Sequence, residues 1–176
     1  MIKGSHIDNL PIFDKINGNK IALAKGKIFS KESNELLAIL VSEKSYFKDA
    51  KIIRFENINK IGRDFIYVEN SNVIENAKDY PEIMEAIDEN DNVIGEEVLT
   101  EDGESLGIVL DVVIDELSGE VKGFILTDGL IEDIVNGRNI IPYADNIKLG
   151  ENSIVIEGKI TDNIVKNKED YNNLLG

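Results

Sequence analysis

Val98-Leu-Thr-Glu-Asp-Gly-Glu-Ser-Leu-Gly-Ile-Val-Leu-Asp-Val-Val-Ile-Asp-Glu-Leu-Ser-Gly-Glu-Val-Lys-Gly-Phe-Ile-Leu126 decides the fold. It reads as an apolar strand, an Asp102-Gly103 turn, a long apolar strand, a Ser118-Gly119 turn and a further apolar strand. Pairs such as Asp-Gly adopt the positive φ angles of tight hairpin turns, and Val/Ile-rich runs suit pleated, half-buried strands. The stretch is therefore a β-meander.

Most of it is written a second time near the N-terminus. With Gly18 laid on Gly103, an offset of 85, Ile21 falls on Leu106, Leu23 on Ile108, Ile28 on Val113, Ser33 on Ser118, Leu36 on Val121 and Ile39-Leu40-Val41 on Phe124-Ile125-Leu126. Further on the offset is 88: Ile52-Ile53 falls on Ile140-Ile141, Ile61-Gly62 on Leu149-Gly150, and Ile66 and Val68 on Ile154 and Ile156. A shared spacing of apolar positions and turns over such a length marks a duplication. Each copy reads as five or six short strands, and closing a sheet that small removes its open edges. The expected fold class is thus mostly β, two small antiparallel β-barrels in tandem joined by a short helical linker. The expected divisions are 1–70 for repeat one, 71–92 for an acidic linker, 93–159 for repeat two and 160–176 for a polar tail. In the linker, Pro81 at a first helical position, acidic residues in the opening turn, and Ile83, Met84 and Ile87 predict a short amphipathic helix that packs on one copy.

Charge is distributed unevenly. Residues 1–70 hold 12 Lys and Arg against 9 Asp and Glu, whereas residues 71–176 hold 7 against 25, within a chain of net charge -15. An acidic second half is repelled by phosphate backbones and anionic lipid, so nucleic acid is disfavoured and any such role rests on repeat one. The chain has no cysteine, which removes disulfides, thiolate metal sites and thiol nucleophiles. No apolar run is long enough for a membrane span and the start lacks signal-peptide layout, so the expected setting is cytoplasmic.

The candidate chemical motifs are weak. Asp88-x-Asn90-x-Asn92 opens like a calcium loop, but Val93 and Leu99 stand where the turn glycine and the bidentate glutamate belong. Asp111 and Asp115 share one side of a strand without a pocket to serve, and Asp115 precedes a turn it is suited to stabilise. His6 is the only histidine and lies at an end expected to be mobile. No catalytic residue, cofactor site or metal site is assigned. Attention falls instead on apolar segments. Lys25 and Lys27 of repeat one share a parity that faces water, yet their counterparts are Leu110 and Val112: either a bulge shifts the register, or repeat two exposes an apolar strip. Leu130, Ile131, Ile134 and Val135 fall on one side of a turn or two of helix between Asp128 and Gly137, with Tyr46 and Phe47 at the matching place in repeat one. These eight residues are the candidate partner surface, the alternative for 130–135 being a plug at one end of its barrel.

The pattern Gly95-x-x-Val98-x-x-x-Asp102-Gly103-x-x-x-Gly107-x-Val109-x-Asp111-Val112-x-x-Asp115-x-x-Ser118-Gly119-x-Val121, followed by Asp128-Gly129-Leu130 and Gly137-Arg138-x-Ile140-Ile141-Pro142, resembles the PRC-barrel family. That family includes the cytoplasmic domain of the photosynthetic reaction centre H subunit and the C-terminal domain of a ribosome maturation factor that binds a small-subunit ribosomal protein. Two units in tandem look like the bacterial tandem PRC-barrel proteins. Repeat one departs from the pattern: Ala22, Gly26 and Ser30 replace a glycine and two aspartates, and Arg54 stands where repeat two has Pro142. The resemblance implies a non-enzymatic module that docks on another protein. By analogy with the maturation factor, the alternative is an RNA- or ribosome-associated role through repeat one, and a third reading is head-to-tail self-assembly of the basic and acidic halves.

Overall fold

The computed structural model describes residues 1–42, 50–89, 91–127 and 140–158. Its elements in chain order are β1 (Ile2–Lys3), α1 (Gly4–Ile7), β2 (Pro11–Asp14), β3 (Lys20–Leu23), β4 (Gly26–Ser30), β5 (Glu35–Leu40), β6 (Lys51–Arg54), β7 (Ile58–Ile61), β8 (Ile66–Val68), β9 (Glu75–Asn76), α2 (Pro81–Asp88), β10 (Glu97–Thr100), β11 (Ser105–Ile114), β12 (Val121–Leu126), β13 (Ile140–Pro142), β14 (Ile147–Leu149) and β15 (Ser153–Ile156). The described chain is mostly β, in several sheets. The described residues divide into two compact units: those of 4–42, 50–89, 91–92 and 115–120, and those of 1–3, 93–114, 121–127 and 140–158.

The unit of residues 4–92 has two four-stranded sheets, ordered β3-β2-β8-β7 and β4-β5-β6-β9. The chain passes from one sheet to the other at Ala24-Lys25. Ala24 donates its amide to Leu10 O at 3.0 Å, and Lys25 donates to Leu40 O at 2.7 Å, so neighbouring amides serve different sheets. A strand that switches sheets in this way makes a corner. Alternation along β5 then buries both of its faces. Ala38 and Leu40 join Ile28, Ala50, Ile52 and Ala77 in a core cluster closed by Ile83 and Ala86 of α2. Ile39 and Ile53, paired across β5 and β6, are fully buried on the opposite face. Helix α2 starts with Pro81 as expected, where the missing amide costs nothing.

In the other unit one path runs β13-β12-β11-β10-β15-β14, with β1 added beside β11. Here the corner is made without a break. Val109 donates to Glu96 O at 2.9 Å, and the register with β12 shifts between Val109 and Asp111, so one ten-residue strand serves β10 with its first half and β12 with its second.

Two expectations are corrected. Among the described residues no sheet closes into a ring: the sheets turn corners and end at free edge strands. Nor is the pairing wholly antiparallel, because β2 runs parallel to β8 and β10 parallel to β15. A parallel neighbour needs a long return connection. Most of each repeat's length supplies it.

Candidate functional site

The two segments that align in sequence also have matching strand registers. Ile12 pairs with Ala22 and Ile66 in the first copy, as Val98 pairs with Gly107 and Ile154 in the second. Gly26 pairs with Leu40 as Asp111 does with Ile125, and Ala38 with Arg54 as Gly123 does with Pro142. Two bulges recur, after Ile12 and Val98 and after Ile28 and Val113, while the shifts at Ile58/Lys60 and Val109/Asp111 have no match in the other segment. Positive φ angles occur at Asn9, Gly18 and Asn34, and at their counterparts Gly95, Gly103 and Gly119. What the two frames carry on their outward faces differs.

In the sheet β3-β2-β8-β7, Ile12, Ile61, Ile66 and Val68 point inward and are buried. The alternate residues form a row across all four strands: Lys20 opposes Phe13, Phe13 opposes Tyr67, and Tyr67 opposes Lys60. Phe65 sets its ring edge-on to both aromatics, at 5.8 Å from Phe13 and 4.7 Å from Tyr67 between ring centroids. Lys15 and Glu69, one alternate residue further along β2 and β8, form an ion pair at 3.7 Å. The face is aromatic at its centre and cationic at its two sides.

The matching row in the second copy is Ser105, Leu99, Val155 and Lys148. Glu97 and Glu101 flank Leu99 along the same strand parity and are exposed, and Lys148 pairs with Glu157. Glu97 also opposes Ile108, which places Ile108 on this face. Ile108 is 45% exposed and Leu110, the unpartnered residue of the register shift, 53%. The expected bulge is therefore present, and it sends Leu110 outward while Val112 turns fully inward. Val112 thus leaves the candidate partner surface: paired with Phe124 in the sheet interior, it is a core residue. The remaining candidates, Leu130, Ile131, Ile134, Val135, Tyr46 and Phe47, lie outside the described residues, as does the tail from 159 to 176.

The polar groups that stood out in sequence are spent on structure. Asp115 Oδ1 accepts the amides of Leu117 and Ser118 at 2.8 and 3.2 Å, which is turn stabilisation. His6 sits in α1, not in a loose end, and its Nε2 donates to Gly62 O at 3.1 Å. Of the calcium-like segment, Asn90 lies outside the described residues, and neighbouring Asp91 accepts the Lys31 amide at 3.0 Å. Sequence reasoning missed one cluster. Glu75 of β9 accepts from Tyr80 Oη at 2.5 Å and Arg54 Nε at 3.1 Å, while the Arg54 guanidinium lies 4.3 Å from the Tyr80 ring centroid. The Tyr80 hydroxyl pulls the Glu75 carboxyl below its ordinary range against the opposing effect of burial, with Arg54 assisting. The same bond, with burial, holds the Tyr80 phenol above its ordinary range. This network ties residues 75–80 to β6. The only sequence signal for it was Arg54 in place of proline.

Among the described residues no helix is long and apolar enough to cross a membrane. Residues 87–161 match the family model of the PRC-barrel domain, a span that takes in β10 to β15. No curated protein matches the chain.

Proposed function

We propose that the protein is a non-catalytic docking module made of two PRC-barrel-like copies, residues 1–70 and 93–159, which holds a protein partner in the cytoplasm on the outward face of β10, β11 and β15. The observation that carries this reading is the pair Ile108 and Leu110, two large aliphatic side chains left in water at adjacent outward positions of one strand. Repeat one has Leu23 and Lys25 at those places, so the frame itself does not demand an exposed apolar pair. Exposing apolar area is unfavourable by roughly 25 cal/mol per Å², which burial against a partner recovers. The match to the PRC-barrel domain, an interaction and scaffold type of fold, agrees with this. Leu130, Ile131, Ile134 and Val135, with their repeat-one counterparts Tyr46 and Phe47, stay within the proposal on their apolar sequence pattern alone.

A photo-crosslinking residue in place of Leu110, in the whole chain expressed in its own cell, tests this. The expected result is one discrete adduct, lost when Ile108→Asp is added and thermal unfolding is unchanged. Irradiation that yields no adduct from a folded chain defeats the reading.

A further inference from the structure

We infer that a partner of the β10–β11–β15 face is a second copy of this chain, presenting the Lys20-Phe13-Tyr67-Lys60 face of its first repeat. The inference rests on the docking reading above and goes beyond it by naming what docks.

Its basis is complementarity between two faces built on one frame. On the first, the Lys15–Glu69 pair cancels internally, leaving Lys20 and Lys60 beside the aromatic centre. On the second, the Lys148–Glu157 pair cancels likewise, leaving Glu97 and Glu101 beside Leu99, Val155 and Ile108. The surplus charges are thus +2 and -2, each around an apolar centre of which Tyr67, Ile108 and Leu110 are more than a third exposed. Two sheet faces of this width stack about 10 Å apart with side chains interdigitating, and flat aromatic rings against branched aliphatics fill that space well. Opposite charges at the rim fix the register and favour the mixed pair.

Like-on-like docking is disfavoured on either side, because it sets +2 against +2 or -2 against -2. Single-stranded RNA is the other occupant that aromatic residues flanked by lysines can take, by base stacking and phosphate contacts. The chain's net charge of -15 opposes a polyanion far more than it opposes a protein surface whose own charge is local. Because the mixed contact joins unlike faces, two copies either satisfy both contacts in a two-fold dimer or continue head to tail.

Charge exchange tests the proposal. One variant carries Lys20→Glu with Lys60→Glu, the other Glu97→Lys with Glu101→Lys. All four side chains are exposed, so thermal unfolding is expected to be unchanged. Sedimentation of the intact wild-type chain at low salt should show mass rising with concentration at or below about 1 mM, the range of a small interface. Each variant alone should associate roughly tenfold more weakly or not at all, and an equimolar mixture should recover association, since each then offers the other an oppositely charged face. Tyr67→Ala should weaken it comparably, with no recovery on mixing with Lys20→Glu/Lys60→Glu, which is damaged on the same face. A wild-type chain that stays monomeric, variants that associate as wild type does, or a mixture that fails to recover would each overturn the inference. So would binding of a single-stranded RNA probe that Lys20→Glu with Lys60→Glu abolishes while the wild type remains monomeric. A Leu110 crosslink to a different protein in that case leaves the docking module standing and removes only its self-partner; a crosslink of the chain to itself supports both.

Discussion

Repeat one carries Ala38, Arg54 and Asn9 where repeat two carries Gly123, Pro142 and Gly95, and it carries Phe13, Tyr67 and Lys20 where repeat two carries Leu99, Val155 and Ser105. The first group sits inside a hydrogen-bond frame in which most pairs and two bulges recur between the segments, although the shifts at Ile58/Lys60 and Val109/Asp111 each occur in one segment only. The second group faces outward. Buried registers are held because a slip of one residue turns every inward side chain out. Outward positions bear no such constraint, so they are where two copies of one frame acquire different chemistry. An aromatic, cationic face and an aliphatic, acidic one occupy corresponding positions of the two segments.

The comparison breaks most sharply at the pair Ala38 and Gly123. Both lie on the central strand of a three-strand ladder, yet a Cβ added at Gly123 would meet Ile141 O at 2.7 Å and Pro142 Cα at 3.3 Å. Pro142 lacks an amide, and the strand pair at Gly123 is too close to admit a methyl group. In repeat one Ala38 is fully buried opposite Arg54, so there the same approach leaves room for one. Gly123→Ala should therefore cost about 1–3 kcal/mol by overpacking, whereas Ala38→Gly should cost about 1 kcal/mol, from backbone entropy and a lost methyl. Urea unfolding of both variants measures this. A Gly123→Ala chain as stable as wild type would mean that the two ladders are spaced alike and that the difference lies elsewhere.

The next contrast is pH dependence, which involves Arg54, the residue that stands where the other segment has Pro142. Glu75 has its folded pKa lowered, so its contribution is full above the ordinary glutamate range and is lost as pH falls through the folded value. Tyr80 has its folded pKa raised, so the neutral phenol's contribution is full below the ordinary tyrosine range and is lost as pH rises through the folded value. One network thus weakens residues 4–92 at both ends of the pH scale. Glu75→Gln should lower the melting temperature at neutral pH and flatten its fall both below about pH 4 and above about pH 10. Melting curves that stay parallel to wild type across that range would show that the cluster contributes nothing to stability.

Much of the frame was legible in the chain because turns and alternation are local. Asp102-Gly103 and Ser118-Gly119 mark hairpins, Pro81 marks the start of α2, and the offsets of 85 and 88 reappear as matched registers. The direction of pairing was not legible. Alternation tells which side of a strand is apolar and says nothing of which strand lies beside it, so Ile12 beside Ile66 in parallel had no sequence signal. Strand β1, only Ile2 and Lys3, is too short to carry a pattern of its own. Corners in place of closed rings were hidden for a related reason: the switch at Ala24-Lys25 is a matter of which carbonyl each amide finds. The candidate surface divided along similar lines. Leu110 followed from parity plus a bulge, but the same bulge returned Val112 to the core. The Lys20-Phe13-Tyr67-Lys60 row was invisible because its members come from four separate strands.

The smallest expected effect probes whether the frame is shared at its tightest turns. Asn9 and Gly95 hold matched positions at φ 63° and 92°, each donating its amide to the matched corner residue, Ala24 or Val109, at 2.8 Å. Asparagine tolerates the left-handed region better than other side chains, and a Cβ at Gly95 would meet nothing within 4 Å. Exchanging the two should therefore be nearly silent: Asn9→Gly within about 0.5 kcal/mol and Gly95→Asn under about 1 kcal/mol, while Asn9→Ala costs about 1–2 kcal/mol because alanine resists positive φ. Thermal unfolding of the three variants separates conformation from packing. If Gly95→Asn proved worse than Asn9→Ala, the left-handed turn before β10 would be held by something other than its φ angle. The two copies would then share a register without sharing the turn that sets it.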